Sequence, residues 1–237
     1  MPPVPVDRML WPAAGLLVAA FILFEFTGLD LLVQDSLYDF ANHRWLIDSR
    51  NAGFRLWFYD LPKIAIIILG VILLVVAVGP ARWRDRCALA TPKRRHLFVA
   101  FLTIGTVPAL IGQLKATTDI FCPSEIRRYG GDVPYVRVAE RYPDNDRPTK
   151  RGRCFPAGHA SGGFALFALA GLCRTRWSQL LGIVLALGIG GAMGFYQMAK
   201  GAHYLSHTVI TALIAWIGFL IWRRAFRVTN IPIQTED

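Results

Sequence analysis

Charged side chains are scarce in this chain. They make up 18% of its 237 residues, where a soluble domain typically carries about 25%. Hydrophobic residues make up 54% and the mean hydropathy is +0.40, which excludes both an ordinary soluble domain and a disordered chain. Cysteine is also sparse, and none of Cys87, Cys122, Cys154 and Cys173 forms a CxxC pair. A zinc ribbon and a thioredoxin-type motif are therefore excluded. No periodic repeat or low-complexity tract is visible. Acidic residues are outnumbered, 16 against 26 basic ones, and the resulting net charge of +10 invites a nucleic-acid reading. Apolar runs this long have no soluble place to go, so nucleic acid is not the expected partner. Of the basic residues, 21 are Arg and 5 are Lys; the planar guanidinium fork suits phosphate, although genomic base composition produces the same bias.

What is present is a series of apolar runs. A spanning helix needs roughly 20 apolar residues, and six such runs fit: Leu10 to Phe26, Ile64 to Val78, Leu97 to Leu114, Pro156 to Leu172, Leu180 to Met198 and His203 to Trp222. No small-residue cleavage site follows the first, so it reads as a span and not as a signal peptide. Residues 28–60, with Asp30, Asp35, Asp39, Asp48, Asp60, Trp45 and Trp57, read as an interfacial amphipathic segment. The expected fold is all-α: one polytopic membrane domain of six transmembrane helices, embedded in a lipid bilayer, with a long extracytoplasmic loop between helices three and four.

Six spans put both termini on one side. Twelve basic residues fall on that side and fourteen on the other, so the raw count does not orient the chain. Density does. The twelve crowd into short segments, among them the linker with Arg82, Arg84, Arg86, Lys93, Arg94 and Arg95, whereas residues 115–155 dilute nine basic residues with six acidic ones. The short basic loops are therefore placed in the cytoplasm. Cys87 and Cys173 then face the cytoplasm, and Cys122 and Cys154 face the oxidising side. There they either close the long loop with a disulfide or remain two free buried thiols.

Three clusters share the loop-bearing face: Lys115 at the end of span three, CFPAGHASGG at the start of span four, and KGAHYLSH at the start of span six. Only five histidines exist, yet His159, His203 and His207 all lie in these clusters. Pro156 suits a first helical turn. Gly158 leaves the backbone open to a ligand's oxygens, and free amides at a helix start make an anion site. His159 stands beside that site to move a proton, and Ser161 offers a hydroxyl. A capping histidine on a Gly-rich helix start accounts for the same residues. His203 and His207, four apart, share one helical face, where three readings compete: a neutral nucleophile, a metal-ligand pair completed by His159, and interfacial polar packing. Lys115 alone reads as a snorkelling helix-end lysine. Beside Arg127, Arg128, Arg137, Arg141, Arg151, Arg153 and Lys200, it becomes part of a cationic cluster suited to phosphate.

The pattern resembles the type 2 phosphatidic-acid phosphatase superfamily of integral membrane lipid phosphatases. That signature runs Lys, six residues, Arg-Pro; then Pro-Ser-Gly-His; then Ser-Arg, five residues, His, three residues, Asp. Here Lys115 precedes Cys122-Pro123, so Cys replaces the motif Arg. Pro156-Ala157-Gly158-His159 carries Ala for Ser, Tyr196-Gln197 stands for Ser-Arg, and His203 is followed by His207 in place of the Asp. The resemblance covers roughly residues 97–222. It implies a metal-independent phosphatase with no cofactor, acting on a lipid phosphate or pyrophosphate at the periplasmic face of a bacterial inner membrane. The substrate types it implies are undecaprenyl pyrophosphate, a lipid A phosphate and phosphatidylglycerophosphate. By position, His203 is the nucleophile, His159 the proton donor and His207 the support of His203. Lys115, Gly158, Ser161, Lys200, Arg127, Arg128 and Arg153 are the candidate phosphate-binding residues. Two alternatives remain: a metal-dependent hydrolase with His159, His203 and His207 as ligands, and a non-catalytic binder of lipid phosphate.

Overall fold

The structure, a computed structural model, describes residues 6–85, 93–173 and 175–228. Arg86, Cys87 and Arg174, which figure in the charge and cysteine arguments, lie outside the described residues. Helix α1 covers Val6–Phe26 and the short α2 covers Leu29–Asp35. A two-stranded hairpin follows, β1 (Tyr38–Asp39) against β2 (Arg44–Trp45), antiparallel with Tyr38 opposite Trp45. Next come α3 (Ala52–Arg55), a π-turn at Leu56–Asp60, α4 (Leu61–Val78) and α5 (Ala81–Asp85). The remaining helices are α6 (Arg94–Thr117), α7 (Gly158–Ala165), α8 (Arg176–Ala199) and α9 (Leu205–Ala225).

Among the described residues, five helical stretches are long and apolar enough to cross a membrane: α1, α3 through α4, α6, α8 and α9. The sequence-based count of six differs at the fourth run. There α7 gives way after eight residues to a 3-10 helix at Leu166–Leu172, so the whole apolar segment is 15 residues long. The 3-10 stretch rises about 2.0 Å per residue against 1.5 Å for an α-helix, so the segment reaches roughly 26 Å, short of a ~30 Å hydrocarbon core. The interfacial segment expected at 28–60 also needs correction. Its first part is α2 and the hairpin, but from Ala52 the backbone is helical and runs on into α4. Asn51 starts it by accepting a hydrogen bond from the Phe54 amide at 3.1 Å. Exposed Phe54, Leu56, Trp57 and Phe58 make this stretch apolar enough to join the span.

The core lies around α7, which packs on α4, α6, α8 and α9. Its small residues permit the approach: a Cβ on Gly163 would meet the backbone of Gly190 in α8, and one on Gly190 would meet the Phe164 ring. Without a hydrophobic drive between helices in lipid, such backbone proximity is what holds them. By contrast α4 turns Ile64, Ile67, Ile68, Val71, Ile72 and Val75 outward, as a lipid-facing surface would.

Candidate active site

The site forms where the end of α6, the start of α7, the end of α8 and the turn before α9 come together. Lys115 sits in the last turn of α6 and lies over the start of α7. The position a Cβ would take on Gly158 is 3.5 Å from Lys115 Cδ and 3.8 Å from its Nζ. Ala157, the residue ahead of α7, supplies no side-chain cap, so the first amides of α7 keep the unpaired N–H groups expected of a helix start. Pro156 stands two residues ahead of the helix instead of in its first turn, as Gly158 is the first helical residue. Ser161 is fully buried, and its hydroxyl donates to the Gly158 carbonyl at 2.6 Å; its proton is turned back onto the helix.

His203 is not on α9. It lies in the turn before the helix, and Tyr204 is the N-cap. Gly201 makes this turn possible with φ +75, a left-handed conformation, and its bare α-carbon faces the Trp45 indole from the hairpin. The turn is tied down on all sides. Gly201 N donates to Met198 O at 2.9 Å, and Ala202 N to Gln197 O at 2.8 Å. Ser124 N from the long loop donates to Gly201 O at 2.9 Å. Gln34 Nε2 from α2 donates to Met198 O at 2.8 Å, and Ile47 N to Ala199 O at 3.0 Å. The two histidines still meet, with Nδ1 of His203 3.2 Å from Nδ1 of His207. Both are buried, 2% and 1% exposed. Burial, and after it the neighbouring His207, push the His203 imidazole well below its ordinary value.

His159 faces this pair from α7, its ring centroid 6.1 Å from that of His203. Its Nδ1 is buried with no hydrogen-bond partner among the described residues. Three lysines act on it electrostatically: Lys115, Lys200 and Lys63. The Tyr59 ring packs on His159 at 4.6 Å and carries Arg55 and Lys63 at 5.9 and 5.7 Å from its centroid. Lys200 sits 4.7 Å from the Tyr196 centroid. Arg55, Tyr59 and Lys63 were not foreseen as site residues. The available signal was Lys63, a lone cation at the start of an otherwise apolar run.

The other cations go elsewhere. Arg127 forms a two-pronged pair with Asp146, and Arg128 one with Asp35 at 2.8 and 2.6 Å, joined by the Tyr129 hydroxyl at 2.9 Å. Arg128 draws the Asp35 carboxyl below its usual range. Arg153 is exposed and makes no hydrogen bond among the described residues. Of the two states left open for Cys122 and Cys154, the structure has the disulfide, with Cα atoms 5.2 Å apart. Cys154 Sγ lies 3.5 Å from His203 Nδ1.

The trio of His159, His203 and His207 does not form a single ligand set. Among the described residues, the side chains whose ligand atoms gather within 4.8 Å are Cys154, His203 and His207, and the Cys154 sulfur is spent in the disulfide. His207 is held from behind. Thr211 Oγ1 donates to its carbonyl at 2.7 Å and accepts from Ala157 N at 2.9 Å, stitching α9 to the start of α7. One residue earlier, Ser206 donates both its amide (2.8 Å) and its hydroxyl (2.5 Å) to the buried carboxylate of Asp30. Asp30 thus caps α9 from α2, a role invisible in a sequence where 176 residues separate the partners. A small cavity on this side of His207 is lined by Asp30, Tyr135, Arg137, Phe155 and Ile210; Lys115 and His159 have no part in it.

Comparison with known proteins bears on this arrangement. The profile of the PAP2 superfamily matches residues 96–230. The chain is 36% identical over 211 residues to a lipid A 4'-phosphatase of Francisella tularensis subsp. novicida (strain U112), covering 86% of this chain and 90% of that protein. No solved structure matches it significantly.

Proposed function

The chain belongs to the PAP2 superfamily, and on that footing we propose that it is a membrane phosphatase that removes phosphate from a lipid through a phosphohistidine on His203. The observation that carries the reading is the convergence of a buried His203, a facing His159, and Lys115 laid across the open amides of α7.

The contact between the histidines assigns the protons. For Nε2 of His203 to attack phosphorus, its lone pair must be free, so the ring proton sits on Nδ1 and is donated to Nδ1 of His207. His207 then carries its own proton on Nε2. Attack forms the bond from Nε2 to phosphorus as the bond to the lipid oxygen breaks, and His159 protonates that leaving oxygen. Water, deprotonated by His159, next cleaves the phosphohistidine and releases inorganic phosphate. Throughout, Lys115, Lys200 and the amides of Gly158 and His159 hold the phosphoryl oxygens. Lys63 and Arg55 extend this positive wall and stand in for cations that the superfamily signature supplies as arginines. With no aspartate at position 207, the charge growing on His203 is shared with a neutral imidazole.

The relative's activity makes a lipid A phosphate the first substrate to try, ahead of undecaprenyl pyrophosphate and phosphatidylglycerophosphate. A Cys122–Cys154 disulfide beside the site supports placing the site on the oxidising, periplasmic side of a bacterial inner membrane. The test is phosphate release by the purified full chain from these three lipids. Turnover that vanadate blocks and a chelator spares is the expected result. Loss of activity on chelation with recovery on adding zinc would replace this reading with the metal-dependent one, and no turnover of any lipid phosphate would leave a binding protein.

A further inference from the structure

We propose that opening the Cys122–Cys154 bond creates a divalent-cation site of the zinc type from Cys154, His203 and His207, and that its occupation blocks the site. Zinc binds imidazole nitrogen at about 2.0–2.1 Å and thiolate sulfur at about 2.3 Å in a tetrahedron. That geometry places two ligand nitrogens roughly 3.3 Å apart, and nitrogen and sulfur roughly 3.6 Å apart. Here the Nδ1 atoms of His203 and His207 are 3.2 Å apart, and Cys154 Sγ is 3.5 Å from Nδ1 of His203. All three ligand atoms lie within 4.8 Å of one another, and all three side chains are buried. The protein therefore already holds two edges of the tetrahedron at ligand spacing, on a turn and a helix start fixed by the contacts described above.

The disulfide is what keeps the set from binding. The sulfur ligand of a metal is the thiolate, and a sulfur in a disulfide carries no such charge. Of the two sulfurs, that of half-buried Cys122 is the one open to attack, as Cys154 is fully enclosed. A dithiol reductant attacks Cys122, the S–S bond breaks, and Cys154 leaves as the thiolate. The second thiol of the reductant then releases Cys122. The two electrons come from the reductant, which ends as its own disulfide. Protonated Cys154 has the Ala202 carbonyl 3.0 Å away as an acceptor, and metal binding sends that proton to solvent. For a cation in this position to take both Nδ1 lone pairs, the His203 proton moves from Nδ1 to Nε2, so the Nε2 lone pair that would attack phosphorus is lost. A chain whose loop has not yet been oxidised is in this way held inactive; when a disulfide oxidant exchanges with Cys122 and Cys154 and takes up their two electrons, the bond re-forms and the metal leaves. The blocking half rests on the reading of His203 as nucleophile; the binding half does not.

The variant that separates the alternatives is Cys122→Ser, which leaves Cys154 free without any reductant. Purified full-length Cys122→Ser is expected to bind one zinc per chain and, with cobalt, to give the near-ultraviolet absorption of a thiolate–metal bond. Its phosphate release should fall at least tenfold with zinc and return on chelation. The double variant Cys122→Ser/Cys154→Ser has the same open loop and is expected to show neither band nor inhibition, and oxidised wild type should ignore the same zinc. If Cys122→Ser fails to fold, wild type treated with dithiol and then freed of reductant serves in its place. Equal zinc affinity in the single and double variants overturns the site. A thiolate–cobalt band with undiminished phosphate release keeps the metal site and overturns the nucleophile assignment of the preceding section.

Discussion

Two sets of positive side chains lie on the loop-bearing side of this protein and meet opposite fates. Arg127 and Arg128 each grip a carboxylate with both prongs of the guanidinium, Asp146 and Asp35 respectively. Lys115, Lys63 and Lys200 form no ion pair among the described residues and gather around His159, over Gly158 and the rings of Tyr59 and Tyr196. Charge that is already neutralised serves the shape of the loop; charge left open is what an incoming phosphate can use. Counting basic residues cannot separate these cases, because the deciding partners, such as Asp35 for Arg128, lie 93 residues away.

The sharpest test of this contrast removes the group that the open cations serve. His203→Ala should lower phosphate release by a factor on the order of 10³ or more, read as initial rate on the best lipid of the panel. Undiminished release would end the nucleophile assignment and the meaning of the contrast with it. Next, Lys115→Ala should lower kcat/KM by about 10²-fold, whereas Arg127→Ala and Arg128→Ala should each cost less than about threefold. Equal losses from the two sets would break the comparison outright. A smaller effect concerns stability. Gly163→Leu forces α7 off Gly190 and should destabilise the detergent-solubilised protein by about 1–3 kcal/mol, seen as a lower Tm with the disulfide intact.

The smallest effect lies in the paired set. The folded carboxyl of Asp35 titrates below the usual value of 3.8. The pair's contribution is therefore complete above the unfolded carboxylate range and disappears as pH falls through the lowered folded value. Between pH 6 and 3, Tm should fall about 1–3 °C more in wild type than in Asp35→Asn. An equal fall would show that the pair contributes nothing.

Much of this site can be read from the chain because its chemistry is local. Pro156 to His159 and Lys200 to His207 are short runs whose residue types and spacing carry their meaning, and scarce histidines stand out against an apolar background. Where the reading failed, tertiary partners decided. The i, i+4 spacing of His203 and His207 predicts that both lie on one helix. In fact Gly201 turns the chain, and the two rings meet across a helix cap. Nor does the sequence show that the Ser161 hydroxyl donates to the Gly158 carbonyl three residues back. Asp30 and Tyr59 were unreadable as site residues, since nothing near them in sequence announces Ser206 or His159. The fourth span was read by its apolar length, and only the change of helix type at Leu166 shows how far it reaches.

That change of helix type bears on what holds the site in place. The segment at the centre of the fold is also the one least suited to enter lipid alone: 15 residues, with a histidine, a serine and exposed amides at its start. It keeps its place by packing on α4, α6, α8 and α9, most closely where Gly163 meets Gly190 of α8. The candidate site at the start of α7 is therefore held in place by a contact with a helix that follows it in the chain.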